Sequence, residues 1–325
     1  MTAHSDLKRL IRDRQHKTGE AFTTARAHVM RARAEILGLP SDAASPPLRE
    51  TIEAIVLKVN QQSARIRIPG EQGEVTFRNG HACTLIPGQI ATLTVAKRWT
   101  WNGDAYASGT VDGARIDIAK LELEPLPLHE GELTELRRGY EPYRRPDPYA
   151  GLWRRLTAKP RASYVLDPIA WGAFPGADLE DLPVCDAAEL REAGDEEGAR
   201  ELLMGVLHRD LRCIDAHAGL GNIEFERRPQ DAMVHFEIGM RITELSLPPG
   251  FDGVLLWGSI YNRPYLRCLH GYGLCLWRLG RYMEAQQTFE RILSLNPNDN
   301  QGVRACWDDV RTGRAWEADM LEYDA

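Results

Sequence analysis

The spacing of hydrophobic residues changes along this chain, and that change constrains the fold more than any other sequence feature. Between residues 50 and 120 apolar residues alternate with polar ones, as Ala64, Ile66 and Ile68 are separated by single arginines. A period of two is typical of half-buried β-strands. After Pro183 the apolar residues recur at intervals of three and four, which is typical of α-helices. The sequence therefore predicts a multidomain α+β protein, with β-structure first and helices after it.

The β-rich part is predicted to be one small domain, residues 50–120. Its five predicted strands are Thr51–Val59, Ser63–Ile68, Val75–Phe77, Ile90–Lys97 and Ala105–Val111. Turns containing glycine separate them, and Asn102-Gly103 is typical of a two-residue hairpin turn. Short strands joined in this way predict a small closed β-barrel of the OB or SH3-like kind.

The remaining segments divide the chain further. Residues 1–40 are predicted to form an arm, a short helical hairpin, with a net charge of +4 over residues 1–36. Residues 121–182 are rich in proline and aromatic residues, and we expect an irregular connector there with a short helix near Leu152 to Leu156. Helical repeats are predicted from 183 to 318, followed by a tail at 319–325.

Charge is distributed unevenly between the two halves. Residues 1–120 hold 17 Lys/Arg and 12 Asp/Glu, whereas residues 121–325 hold 23 and 35, within a total net charge of −7. A basic first part joined to an acidic second part indicates a different partner for each.

Composition excludes several classes of protein. With 43% hydrophobic and 27% charged residues among 325, the chain can bury real cores, so extensive disorder is excluded. We expect a cytoplasmic protein without membrane contact, since no apolar run approaches the ~20 residues of a spanning helix and the N-terminus is charged. The six cysteines form no CxxC pair, which favours reduced thiols.

One stretch of the helical part carries a repeat signature. From Leu269 to Pro297 it has Gly273 for close helix contact, Gly280 at a turn and Ala285 in the second helix. This stretch resembles a tetratricopeptide repeat. Two weaker units precede it, Ala188 to Leu211 and Ala216 to Thr243, and an insertion from Ser246 to Asn262 interrupts the array. With segments such as Asp210–His217 and Asn262–His270, residues 185–318 also resemble a group of bacterial tetratricopeptide proteins to which no activity is assigned.

The resemblance implies a protein-binding surface on the first helix of each pair. In the last pair Arg267, His270 and Trp277 would face a partner, and in the pair before it Asn222 and Phe225 would do so. Arg and Asn donors suit an extended peptide or its carboxylate. The alternative is a structural role, in which Arg267 pairs with an acidic neighbour such as Asp252 and His270 caps a backbone carbonyl.

The barrel offers a second hypothesis, nucleic-acid binding. Two cations and two aromatic residues lie together at a predicted strand end, and Arg65 and Arg67 share a strand face; the candidate contacts are Arg65, Arg67, Lys97, Arg98, Trp99 and Trp101. Stacking on tryptophan beside phosphate-binding cations holds single strands on many small barrels. The alternative is a tryptophan that plugs the barrel end beside solvated cations.

No pattern indicates catalysis or a cofactor. A nucleophile elbow and a phosphate-binding loop are absent from the sequence. Cys213 and His217 have the spacing of two metal ligands on a helix, but no third ligand is evident, and we expect no metal site. The sequence therefore predicts a non-enzymatic adaptor or scaffold for a protein partner, with a nucleic-acid-binding regulatory protein as the alternative. It predicts no particular oligomeric state.

Overall fold

The computed structural model shows a fold of mixed α and β structure. It describes residues 3–18, 25–26, 28–29, 50–79, 84–134, 146–167 and 182–317. The chain divides into two compact units, Met1–Arg49 and Glu50–Ala325. In the first unit helix α1 spans Ala3–Thr18, and most of the predicted second helix of the arm lies outside the described residues.

Five strands form a closed barrel in the order β1-β2-β3-β5-β4. They are β1 Glu50–Asn60, β2 Ser63–Arg67, β3 Val75–Arg78, β4 Ile90–Trp101 and β5 Asp104–Arg115. Neighbouring strands are antiparallel except β3 and β5, which run parallel. Asn102 and Gly103 join β4 to β5 with φ of 51° and 89°, the left-handed backbone that a two-residue hairpin turn requires. The predicted small closed barrel is confirmed.

The barrel interior is filled by alternate residues of its strands. Ile66, Phe77 and Leu93 are fully buried in it, whereas the adjacent Arg67 is exposed. Strand β1 departs from this alternation, because all four residues from Ala54 to Leu57 are buried. A strand buried on both faces must be covered by another layer on its outer side.

The segment predicted to be an irregular connector contains regular structure. Strand β6 Leu128–Thr134 pairs antiparallel with β7 Arg161–Leu166, and helix α2 spans Ala150–Leu156 between them. A 3₁₀ turn, Ile118–Leu121, links the barrel to this hairpin. The short helix agrees with the sequence, which indicates one near Leu152, but the two strands differ from the expected irregular chain.

Consecutive helices make up the rest of the described chain. They are α3 Pro183–Glu192, α4 Glu196–Arg209, α5 Ile214–Glu224, α6 Pro229–Glu244, α7 Arg263–Arg278, α8 Tyr282–Leu295 and α9 Val303–Arg311. Short turns join α3 to α4, α5 to α6 and α7 to α8, and the members of each pair pack together. The first helices also contact one another, α3 with α5 and α5 with α7. Gly273 lies where an added Cβ would be 2.5 Å from Phe289, so α7 and α8 approach closely there.

The outer face of β1 packs on these helices. Ile55 and Leu57 belong to one hydrophobic core together with Leu207 of α4 and Ile238 of α6. The connection between β3 and β4 also meets the helices, because an added Cβ on Gly88 would lie 2.8 Å from Ile238. Barrel and helices therefore share a core in addition to the barrel's own interior.

The insertion between α6 and α7 is held by the β6–β7 hairpin. The buried Arg161 donates to the carbonyl oxygens of Asp252 at 2.5 Å, Gly253 at 2.8 Å and Ser294 at 2.6 Å. Asn262 accepts a hydrogen bond from the backbone N–H of Leu166 at 3.1 Å. The sequence predicts an interruption of the helical array here, and the interrupting segment is hydrogen-bonded to strand β7.

Candidate functional site

Two of the five predicted partner-binding side chains are exposed on the first helices. Asn222 lies on α5 and Arg267 on α7. The Arg267 guanidinium reaches across to α5, where its Nη1 donates to the Asp215 carboxylate at 2.9 Å. It also lies 5.8 Å from the Trp257 ring centroid. The ion pair therefore forms with Asp215 and not with Asp252, which pairs with Lys159 instead.

Phe225 and Trp277 lie beneath the chain's own C-terminal segment. They are 8% and 2% exposed, and the Trp316 ring packs edge-on against both, at centroid distances of 5.8 and 5.2 Å. The Trp277 indole also donates to the Arg314 carbonyl oxygen at 2.8 Å. A partner would reach these two rings only if Trp316 moved away.

His270 contributes no charge to this surface. It is half-buried and packs edge-on against the Phe289 ring at 6.2 Å. Burial lowers the pKa of His270 to about 4, so the imidazole is neutral at pH 7. The exposed polar part of the predicted surface consequently centres on Asn222, Arg267 and its partner Asp215.

Arg267 also borders a cavity of about 250 Å³ that sequence patterns did not indicate. Its apolar wall brings together chain segments far apart in sequence: Leu126, Leu166, Leu182, Ile214, Ile260 and Tyr265. Arg212, Arg263 and Arg267 line it as well, with Asp167 and Asp215. We call this space the arginine cavity. Its residues become neighbours only when the β6–β7 hairpin and the starts of α3, α5 and α7 meet, which no local motif encodes.

A ladder of stacked side chains lies on the barrel. Trp99 of β4 stacks on Tyr106 of β5, with centroids 5.5 Å apart and planes 11° from parallel. Lys97 lies 5.7 Å from the Trp99 centroid and Arg78 lies 5.0 Å from that of Tyr106. Trp101, two residues beyond Trp99 on the same strand face, is 66% exposed. We call these five side chains the aromatic ladder.

The other predicted nucleic-acid contacts are arranged differently. Arg65 pairs with Glu74 at 3.1 Å, and Arg98 pairs with Glu71 at 2.9 Å and Glu50 at 3.1 Å, so both charges are compensated. Arg67 is exposed and borders a shallow depression on the barrel side of α4. Arg78 and Tyr106, which no sequence pattern singles out, join the ladder through the pairing of β3 and β4 with β5.

A polar cavity of about 410 Å³ lies between the barrel and the helices. Its buried Glu224 forms ion pairs with Arg200 and with Arg228, whose Nη2 lies 2.6 Å from the carboxylate. His235 also borders the cavity, and burial lowers its pKa well below the ordinary value, so it is neutral at pH 7. Two guanidinium groups on one carboxylate tie α4, α5 and α6 together.

Cys213 and His217, the two residues with metal-ligand spacing, make structural contacts. Cys213 is buried at the start of α5, and burial raises the pKa of its thiol to about 12. The Nε2 of His217 lies 3.1 Å from the Leu211 carbonyl oxygen. Within the described ranges, no three His, Cys, Asp or Glu side chains are grouped so that they could hold a metal ion, and Cys213, Cys268 and Cys275 are buried free thiols.

Protein-family models give no match to this chain, and curated proteins give none either. Among the described helices, none has the length and apolar character needed to cross a membrane.

Proposed function

We propose that this chain is a non-enzymatic adaptor that binds a protein partner through its helix pairs. The observation that carries the proposal is the contact between successive first helices, α3 with α5 and α5 with α7, since Asn222 and Arg267 are exposed on two of these helices. The likeness of Leu269–Pro297 to a tetratricopeptide repeat supports it. So does the close approach of Gly273 to Phe289, the contact that such a repeat requires.

The chemistry of this surface suits a peptide backbone or carboxylate. A guanidinium presents several N–H donors in a planar fork, and an amide adds both a donor and an acceptor. The Asp215 carboxylate and the Trp257 ring restrict the position of Arg267 before any partner binds. A side chain held in this way loses less conformational entropy on binding.

Photo-crosslinking at position 222 tests the adaptor proposal directly. A photoreactive amino acid replaces Asn222 in the native host, and the same residue replaces the exposed Met283 of α8 as a control. We expect a discrete protein adduct from position 222 that is lost when Arg267→Ala is added. Equal adducts from both positions, or none from position 222, would contradict the proposal.

The aromatic ladder supports a second candidate function, single-stranded nucleic-acid binding. The barrel order β1-β2-β3-β5-β4, with β3 parallel to β5, is compatible with an OB fold, a Greek-key barrel that binds oligonucleotides in many proteins. Lys97 and Arg78 provide cations at the two ends of the Trp99–Tyr106 stack. Among the described residues neither cation forms an ion pair, so both charges remain available to phosphates.

Binding of a fluorescein-labelled oligothymidylate, followed by anisotropy, tests this candidate. Trp101→Ala is expected to weaken binding about tenfold, since stacking contributes about 1–3 kcal/mol per base. Affinity should also fall steeply as salt increases, because phosphate contacts release counterions. The matched control is Met283→Ala, an exposed hydrophobic side chain on α8. Equal affinity of the Trp101→Ala variant and the intact protein would remove the candidate.

A further inference from the structure

The geometry points to the arginine cavity as a binding site for a small amphipathic carboxylic acid. Such a ligand has one carboxylate and a short aliphatic or aromatic group. The cavity of about 250 Å³ is bordered by the β6–β7 hairpin, the Leu126 segment and the starts of α3, α5 and α7. Drug-sized ligands occupy pockets of about 300–1,000 Å³, so a smaller ligand fits here. The inference goes beyond the proposed adaptor function, because it concerns a small molecule and not a protein partner.

The interior of the cavity is suited to an apolar chain. Leu126, Leu166 and Ile214 are 5%, 3% and 6% exposed, and they present aliphatic surface to the cavity. Ile260, at the cavity border, is 40% exposed. Covering apolar surface of this kind is favourable because it removes that surface from water. An aliphatic or aromatic group of a ligand would therefore be stabilised against this wall.

Among the described residues, one arginine of the cavity forms no ion pair. Arg212 pairs with Asp210 at 2.8 Å, and Arg267 pairs with Asp215 at 2.9 Å. Arg263 instead donates its Nε to the Trp257 carbonyl oxygen at 3.0 Å and stacks over the Trp257 ring at 5.4 Å. Among the described residues it has no carboxylate partner, so its Nη atoms remain available to a ligand carboxylate.

The backbone adds to the positive potential around Arg263. Helices α3, α5 and α7 begin at the cavity, and none of the three has a side-chain hydrogen bond at its N-cap. Helix starts favour anions because their first N–H groups lack intrahelical partners. Asp167 is the opposing charge, and it lies 3.7 Å from His129 with its side chain 52% exposed. A carboxylate head beside Arg263 and an apolar tail against Leu126 and Leu166 matches this distribution.

Titration of the intact protein with sodium octanoate tests the inference by saturation-transfer NMR. We expect saturable binding, weaker binding of octan-1-ol, and protection of Cys185, which lines the cavity, from alkylation mapped by mass spectrometry. Arg263→Gln should weaken octanoate binding by about tenfold or more, because a charge-assisted hydrogen bond is lost. Val184→Trp should abolish it by filling the cavity, whereas Arg227→Gln, at an exposed arginine outside the lining, should leave it unchanged.

Each other outcome would overturn the inference. Absence of saturable binding, equal binding by the Arg263→Gln and intact proteins, or equal binding of the alcohol and the acid would each do so. Tighter binding of N-acetyl-leucine than of octanoate would assign the cavity to the carboxyl terminus of a protein instead. Crosslinking from position 222 does not require Arg263, so the adaptor proposal and this inference can fail separately.

Discussion

At the scale of single residues, buried histidines link stability to pH. His235 is 2% exposed and its Nδ1 has no hydrogen-bond partner among the described residues. Burial lowers its pKa well below 6.5, and it lowers the pKa of the neighbouring His217 to about 4. In the unfolded chain both imidazoles have their ordinary pKa of 6.5. Between the lowered folded-state pKa and 6.5, the unfolded state therefore binds more protons than the folded state. Their contribution to stability is present above pH 6.5 and is lost as the pH falls towards 4.

The variant His235→Gln should therefore reduce the pH dependence of unfolding. Each proton bound only by the unfolded state adds about 1.4 kcal/mol per pH unit to the slope of stability against pH. We expect urea titrations below pH 6.5 to show a shallower slope in His235→Gln by up to this amount. His129→Gln, at a 66% exposed position, is the control. The same slope in His235→Gln and the intact protein would contradict a neutral buried His235.

Single residues also show where sequence analysis stops. The likeness to a tetratricopeptide repeat implies that Asn222 and Arg267 face a partner, and both side chains are exposed. The same likeness gives no sign that Trp316 covers Phe225 and Trp277, since that contact joins residues up to 91 positions apart in the chain. Long-range packing of an irregular C-terminal segment has no periodic signal in sequence.

At the scale of elements, glycine spacing sets how closely helices pack. An added Cβ on Gly221 of α5 would lie 2.5 Å from the ring of Phe236 on α6, whereas one on Gly205 of α4 would meet nothing within 4 Å. Gly221→Ala is expected to lower the free energy of unfolding by about 1–3 kcal/mol through overpacking. Gly205→Ala should raise it by up to about 1 kcal/mol, because alanine favours the helix.

Urea denaturation of the two alanine variants provides the comparison. Both substitutions add one methyl group inside a helix, so a difference in sign isolates the packing against Phe236. Stabilisation by both variants would show that α5 and α6 can separate without cost, contrary to the close contact described.

Elements with local signals were predictable, and those with distant partners were not. Strands β2 to β5 follow from alternation and from turns such as Asn102-Gly103, whose left-handed backbone suits Asn and Gly, and β1 follows from its β-branched residues. Strands β6 and β7 lie in a proline- and aromatic-rich segment and pair Leu128 with Leu166, across an intervening helix. Their pairing depends on tertiary contacts, which the local sequence does not specify.

At the scale of the whole molecule, the barrel and the helices share one core. Leu57 of β1 is 6% exposed and packs in the same cluster as residues of α4 and α6. The continuous apolar run from Ala54 to Leu57 is the sequence signal for this layer, because a strand covered on both faces loses its alternation. The predicted boundaries of the barrel and of the helical part do not by themselves indicate that the two parts pack together.

Leu57→Ala should consequently destabilise barrel and helices together. Truncation of a buried leucine costs about 2–5 kcal/mol. Pulsed hydrogen exchange across a urea titration, with peptides of the barrel and of α4 to α6 measured separately, should show one shared midpoint that moves to lower urea. A shift confined to barrel peptides would mean that the two parts unfold independently.

The most direct test of the proposed function is affinity capture from the native host after nuclease treatment, with three forms of the protein compared. These are the intact chain, Asn222→Ala with Arg267→Ala, and Trp101→Ala. All three substitutions are at exposed side chains, so folding should be preserved. We predict a protein partner that survives nuclease, is lost from the Asn222/Arg267 double variant and is retained by Trp101→Ala. Two results would contradict the adaptor proposal and assign binding to the barrel. One is recovery of nucleic acid with the intact chain. The other is a partner that is lost only after nuclease treatment or only from the Trp101→Ala variant.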